Sequence, residues 1–249
     1  MNGKNLRAVP REQRTNIEGK QITNKVLLAA PDNEFDLLRA DLTYVNLPSH
    51  LSLHEPAQDI EFLYFPNRGM VSQVVVTKDG RTVEVGVVGK EGYTGSGLAT
   101  GLSRSSVREI IQIAGDGFRM MGNALERILR SAPQLRMLMN RHTGIQGMQV
   151  AQTAACNRLH DIQQRLSRWL LMTQDRVGSG TLPITHDFIA TMMGTDRTTV
   201  SLAASVMQKN GIIEYVRGAV KIVNRRKLEK SSCECYGVIQ QFEDELGLR

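Results

Sequence analysis

Cysteine is scarce, with 3 in 249 residues. That scarcity excludes a disulfide framework and suits a reducing compartment. No apolar run approaches the ~18–20 residues that a membrane-spanning helix needs. The opening stretch, Met1-Asn2-Gly3-Lys4-Asn5-Leu6-Arg7, is polar and lacks the apolar stretch of a signal peptide. A soluble, cytoplasmic protein with no membrane partner is the expectation. The common catalytic signatures are missing as well. His50, His54, His142, His160 and His186 form no H-x-x-x-H or H-E-x-x-H arrangement, and there is neither a P-loop lysine motif nor a G-x-S-x-G elbow. Gly86, Gly89 and Gly92 are spaced by three and read as turn glycines. No catalytic residue, metal site or cofactor is assigned, and an enzyme is not expected. Cys233 and Cys235 could form a redox or metal pair with a partner site. Two soft ligands are too few for a closed zinc site, however, and no nearby histidine is evident, so packing thiols are the favoured reading.

What is present is a basic surplus on a globular composition. Hydrophobic residues make up 41% and charged residues 22%, which excludes wholesale disorder. The length suits one large domain or two modest ones. The formal net charge is +6, a weak hint of a phosphate-bearing partner. Its distribution says more. Residues 1–30 are net +4, through Lys4, Arg7, Arg11, Arg14, Lys20 and Lys25 against Glu12 and Glu18. They read as a solvated basic arm. Residues 181–230 are also net +4, whereas 231–249 is net −3. The second basic segment is the patterned one.

From Asn24 to Leu42, apolar residues fall near helical spacing around a break at Pro31. From Thr43 to Gln112 the texture is short β-prone runs: Ile60–Phe65, Met70–Val76, Thr82–Val88 and Val107–Ile113. Asp79-Gly80 sits at the tip of a hairpin. Such spacing predicts an antiparallel roll or barrel. A short helix over Asn123–Arg130 ends before Pro133. Pro133 to about Val177 then reads as almost continuous helix. Its first half carries a seam of Leu138, Ile145, Met148, Gln152, Ala155 and Leu159, near the spacing of a helix packed on one partner. Cys156-Asn157-Arg158 is a candidate hinge. Thr185 caps a helix over Asp187–Met193, Gly194 turns the chain, and Asp196–Lys209 forms a second helix. Ile212–Val216 and Ala219–Val223 read as a hairpin. That order is a winged helix-turn-helix. The fold class is α+β, divided as a basic arm (1–23), a β-roll (24–132), a dimerisation helix (133–158) and a winged helix-turn-helix with a C-terminal helix (159–249).

The stretch Ile184–Ser201, with its threonine, first helix, glycine turn and Arg197 opening the second helix, resembles the DNA-binding motif of Crp/Fnr-type bacterial transcription regulators. Leu159–Leu171, with Asp161 and Arg165, is similar to the family's helix leading into that domain. Phe65-Pro66-Asn67-Arg68-Gly69, Glu84–Gly92 and Cys233-Glu234-Cys235-Tyr236-Gly237 resemble a subgroup of unknown effector. The resemblance implies a cyclic-nucleotide-binding-like roll, a homodimer and a contact with RNA polymerase. Some members sense oxygen through an iron–sulfur cluster on N-terminal cysteines. The first cysteine here is Cys156, so those ligands are missing.

A recognition helix enters the major groove by its N-terminal residues. Arg197 is the expected base reader, because a guanidinium bonds two acceptors of guanine at once. Thr198 and Ser201 are further candidates for base contact, and Thr199 and Thr185 for phosphate contact. Lys209, Arg217 and Lys221 would supply phosphate attraction. Val200, Ala203, Ala204 and Val206 read as packing residues. In the roll, Gly95, Ser96, Arg104 and Ser105 mark the effector pocket that the resemblance implies. Ser96 stands where the family's nucleotide binders have glutamate, the gap from Gly95 to Arg104 is short, and Val150 and Ala151 replace hydroxyl-bearing residues. Cyclic AMP is therefore not the expected effector. The leading expectation is a homodimeric regulator of double-stranded DNA. The alternative is a ligand-binding regulatory module acting through protein contacts.

Overall fold

A computed structural model describes residues 13–248. Two short helices, α1 (Lys25–Ala29) and α2 (Asp32–Arg39), flank Pro31, as the apolar spacing predicts. An antiparallel sheet follows, built from β1 (Thr43–Leu47), β2 (Ser52–His54), β3 (Phe62–Val76), β4 (Thr82–Val88) and β5 (Arg108–Met121). Its order is β1-β5-β3-β4, with β2 also on β5. The two runs expected at Ile60–Phe65 and Met70–Val76 belong to the single strand β3. The chain passes the intervening Pro66 and Gly69 through register shifts between Pro66 and Val71. Bulges of this kind admit proline and bend a long strand. The strand expected at Val107–Ile113 likewise continues to Met121 along the whole of β3. Two coiled fourteen- and fifteen-residue strands thus make the roll. The hairpin tip is as expected, with Gly80 at φ +81°.

The roll's core gathers Leu63, Phe65, Tyr93, Phe118 and Met120 under α1, α2, α3 (Gly122–Leu129) and the start of α4 (Pro133–Leu159). Burial of these apolar side chains supplies the main driving force. The solvated-arm reading of residues 1–30 holds for the exposed Glu18 and Lys20 but fails at Arg14. Arg14 is only 4% exposed, pairs with Asp32, and donates to the Leu27 carbonyl at 2.7 Å. Its stem and charge cap the end of α1 instead of facing water. Lys4, Arg7 and Arg11 lie outside the described residues.

The helix pair α4 and α5 (Ile162–Val177) breaks at His160-Asp161 and not at Cys156–Arg158. Asp161 is the cause. Its carboxylate accepts from Gln164 N at 2.9 Å, and Gln164 Oε1 accepts from Asp161 N at 3.2 Å, a reciprocal cap that starts a new helix. Gly89 and Gly92 bound a turn, Gly92 N donating to the Gly89 carbonyl at 3.1 Å, whereas Gly86 lies inside β4; none of the three has a positive φ. They permit close approach: a Cβ on Gly89 would meet Arg176 at 2.8 Å, and one on Gly92 would strike the His142 ring of α4.

A two-residue strand, β6 (Thr181–Leu182), leads into α6 (His186–Met193) and α7 (Arg197–Lys209). Gly194 turns between these helices at φ +61°. Then come β7 (Ile213–Val216), β8 (Ala219–Ile222), α8 (Arg225–Ser231) and α9 (Cys235–Glu245). The small sheet runs β6-β8-β7. Leu166, Leu170, Leu182, Ile189, Val200, Met207 and Leu228 close one core, which also takes in Val74 from the roll. The tail does not stay with the winged helix. Leu248 is wholly buried in the roll's core, and Arg176 of α5 bonds both Glu91 and Glu243. The C-terminal segment therefore ties the two halves together, which a boundary at residue 159 does not capture.

Candidate nucleic-acid interface and effector cavity

The sequence of α7 separates its faces. Val200, Ala203, Ala204 and Met207 fall on the buried stripe. Arg197 and Thr198 are exposed at the first turn, where Asp196 caps the helix by accepting from Thr199 N at 2.8 Å. The Arg197 side chain is 68% exposed and lies 3.1 Å from the Asp187 carboxylate of α6. An exposed pair of this kind contributes little to stability and exchanges readily for another acceptor. The fork that the sequence reading assigns to guanine is thus held near the helix start without being buried.

The other candidates divide. Ser201 is half-buried, with Oγ 3.1 Å from His186 Nδ1, and the His186 ring packs 4.2 Å from Tyr215 of β7. Burial and then the Arg197 charge hold His186 below its ordinary value, so its ring is neutral near pH 7. Thr185 accepts from Phe188 N at 3.2 Å and keeps its own O–H free to donate to a phosphate. Thr199 differs. Its hydroxyl donates to Asp196 at 2.6 Å, so its one donor is already committed. Arg217 is exposed beside Gly218, at the tip between β7 and β8. Lys221 is exposed 3.2 Å from Glu214. Lys209 is exposed at the far end of α7, about 18 Å along the axis from Arg197.

Val206 is 46% exposed and is not a packing residue; Met207 takes that place. Leu202 was missed by the sequence reading. It is 65% exposed, one position past Ser201 on the outward face. Its signal was available, because it falls off the stripe at 200, 203, 204 and 207. An apolar side chain there suits a thymine methyl. His186, Asp187 and Tyr215 were missed as supports of Arg197 and Ser201, because only the fold brings the start of α6 against α7 and β7.

The seam on α4 also divides. Ile145 is buried within its own chain, and Leu138 packs partly on the roll's core. Gln152 and Ala155 are half-buried, Gln152 donating to Cys235 Sγ at 2.9 Å. Met148 at 44% and Leu159 at 75% remain exposed. Beside them are exposed Met137, Ala151 and Ala154, and Gly144 and Gly147, where an added Cβ would meet nothing. The outward stripe lies off the expected seam, because the roll covers its Ile145 side.

Between the short 3-10 helix Ser96–Thr100 and α4 lies a cavity of about 260 Å³. Gly95, Ser96, Arg104 and Ser105 all line it, with Gln73, Glu109 and Gln146. Arg104 is exposed at the rim, 3.3 Å from Asp59. Glu109 was missed. It is buried, and its carboxylate accepts from Gly95 N at 2.9 Å and Gln73 Nε2 at 2.8 Å, and pairs with His54 Nδ1 at 2.5 Å. Burial opposes charge on His54, but the hydrogen bond and charge of Glu109 outweigh it and raise the ring above its ordinary value. The backbone N–H that would face an anionic ligand is therefore already taken by an internal carboxylate. The cue in the sequence was an acid directly before the apolar run Ile110-Ile111.

Where the roll meets α5, Trp169 Nε1 donates to Glu84 Oε1 at 2.8 Å, and Ser72 donates to Oε2 at 2.5 Å. Burial pushes the Glu84 carboxyl up from 4.5 to about 7. The folded chain thus holds this proton more tightly than the unfolded one. Its contribution to stability is full below about pH 4.5 and is lost as pH rises through about 7, a change of about 3 kcal/mol. Urea titrations of the native chain should show that decline between pH 5 and 8. Glu84→Gln, which keeps an acceptor for Trp169, should remove it. An unchanged decline in the variant would assign it elsewhere.

The three cysteines were missed as a group. The sequence reading weighed Cys233 and Cys235 alone and found no histidine near them. The fold places Cys156 and His160 against both.

Residues 164–231 match the Crp-like helix-turn-helix domain family. No curated protein matches the chain. Among solved structures, the fold is similar to that of the c-di-GMP-responsive global regulator CLP of Xanthomonas campestris, at 15% identity and TM-score 0.64, covering 78% of this chain and 100% of that one. It is similar to FixK2 of Bradyrhizobium japonicum, at 15% identity and TM-score 0.63, covering 77% and 98%. A CRP-family transcriptional regulator of Thermus thermophilus gives 19% identity and TM-score 0.62, covering 76% and 96%. The chain has the α+β fold of the Crp/Fnr regulators, with a Crp-like helix-turn-helix domain at its C-terminal end. Among the described residues no helix is long and apolar enough to cross a membrane.

Proposed function

We propose that this chain, with its Crp-like helix-turn-helix domain and Crp/Fnr fold, is a cytoplasmic, homodimeric transcription regulator that binds double-stranded DNA in a sequence-specific way. The observation that carries the reading is the exposed Arg197 fork at the capped start of α7. Arg197 reads guanine, and Thr198, Ser201 and Leu202 complete the base-facing surface. Thr185, Arg217 and Lys221 attract phosphates, so affinity falls steeply with salt. The stripe of α4 around Gly144, Met148 and Ala151 meets a second copy. Small residues there let two backbones approach closely, and the paired helices set two recognition helices about 34–36 Å apart. RNA polymerase is a partner by resemblance. No catalytic role is assigned.

The roll is not a cyclic AMP receptor in this reading. Glu109 occupies the Gly95 N–H and would repel a phosphate in the same cavity. Isothermal titration with cyclic AMP should show no saturable heat, and micromolar binding would overturn this part. The competing reading, a module that acts through protein contacts alone, leaves the basic surplus of residues 181–230 and the exposed Arg197 unexplained. Light scattering on the purified chain with genome-wide mapping of bound DNA separates the two. A dimer with an enriched motif supports the regulator; a monomer with no motif defeats it.

A further inference from the structure

We propose that Cys156, His160, Cys233 and Cys235 form a mononuclear zinc site that clamps the end of α4 to the segment between α8 and α9. Cys156 lies in the last turn of α4, and His160, the residue that caps that helix, donates its backbone N–H to the Cys156 carbonyl at 3.2 Å. Cys233 and Cys235 are brought to that turn as α9 packs back on α4. The three Sγ atoms and an imidazole nitrogen all lie within 4.8 Å of one another. Cys156 Sγ and Cys233 Sγ are 3.5 Å apart, and Cys235 Sγ is 3.6 Å from His160 Nδ1. A tetrahedral zinc with bonds of about 2.3 Å to sulfur and 2.0 Å to nitrogen places its ligands roughly 3.5–3.8 Å apart. Two of the six edges of such a tetrahedron are thus already in place, and the other separations lie within 4.8 Å.

The donor set selects the metal. Three thiols and one imidazole suit zinc and exclude magnesium and calcium, which take oxygen ligands. The compactness argues for a single ion, because the ligands of a multi-iron cluster are spread across several metal centres. The surroundings fit as well. Glu234 Oε1 lies 3.3 Å from His160 Nε2, the carboxylate behind a ligating histidine that fixes which nitrogen faces the metal. Gln152 Nε2 donates to Cys235 Sγ at 2.9 Å and so favours the thiolate. On binding, three S–H protons leave to solvent and three S–Zn bonds and one N–Zn bond form. The resulting centre carries one net negative charge, and Arg165 and Arg168 line the small cavity beside Cys156. No electron is transferred. All three cysteines are buried, which keeps the centre closed to solvent and makes it structural.

The site closes a loop around the whole winged helix, from the α4–α5 break to the start of α9. Zinc would fix the angle at that break. This inference does not depend on the DNA-binding reading.

The test uses the full-length chain, expressed with zinc supplied and desalted. Elemental analysis should find one zinc per chain. Replacement by cobalt(II) should give the intense visible bands of a tetrahedral thiolate site together with thiolate-to-cobalt charge transfer. Glu234→Gln should keep the bands and weaken cobalt binding about tenfold. Cys233→Ser and His160→Gln, each checked for folding by circular dichroism, should lose the tetrahedral spectrum. A chain without zinc, whose cobalt spectrum is that of the hydrated ion and whose three thiols all titrate, would overturn the proposal. So would iron recovered together with inorganic sulfide.

Discussion

Arg197→Ala should cut discrimination between operator and random DNA at least thirtyfold but leave salt-dependent binding to any duplex. The expectation follows from geometry. Arg197 begins α7 at a capped helix start, so its fork is presented where a major-groove helix meets base edges. Its partner, Asp187, is exposed and exchanges for the O6 and N7 acceptors of guanine at little cost. A bidentate contact is worth about 1–3 kcal/mol of discrimination, and a dimer makes two, about 2–6 kcal/mol or at least thirtyfold. The proposed phosphate contacts of Thr185, Arg217 and Lys221 would be untouched, so the slope of affinity against salt should change little. Arg197→Lys tests the fork itself, since lysine keeps the charge but not the paired donors. It should retain non-specific affinity and recover little specificity. Fluorescence anisotropy at several salt concentrations, with specific and scrambled duplexes, reads both quantities.

Met148→Glu should convert the proposed dimer to monomers. Met148 is exposed in the single chain, so a carboxylate there costs the isolated fold little. In the proposed dimer it would meet its own copy across the two-fold axis, and two like charges would be buried together. Light scattering should give the mass of one chain, near 27.7 kDa. Operator affinity should fall by at least about a hundredfold, because the second half-site is no longer bound at high effective concentration. Circular dichroism like that of the native chain would show that the fold is intact. A dimer that persists would place the interface elsewhere.

The fold was legible in the sequence wherever pattern and punctuation agree. Asp79-Gly80 marked its hairpin, Pro31 its break, and Thr185, Gly194 and Arg197 the helix-turn-helix. What escaped depended on distance along the chain. The α4–α5 break moved to His160-Asp161 because a side-chain cap outweighs a change in hydrophobic texture. The α4 seam was drawn from spacing alone, which cannot tell a face covered by the roll, such as that of Ile145, from one left open, such as that of Met148. Gly92 does close a turn, but its packing escaped because nothing local announces the His142 ring beside it. Cys156 and Cys233 are 77 positions apart, and no window of sequence holds both. Of the DNA candidates, Arg197, Thr198, Ser201 and Thr185 stand at one end of the two helices. Thr199 is spent on its cap, and Lys209 lies at the other end.

The account rests on two copies of α7 reading one duplex. Selection of bound sequences from a pool of random duplexes by the purified full-length chain tests that most directly. The expected result is an inverted repeat with a guanine in each half-site and half-sites one helical turn apart. It should be enriched by the native chain and not by Arg197→Ala. A pool that emerges without an enriched motif, or with a single unrepeated one, would contradict it.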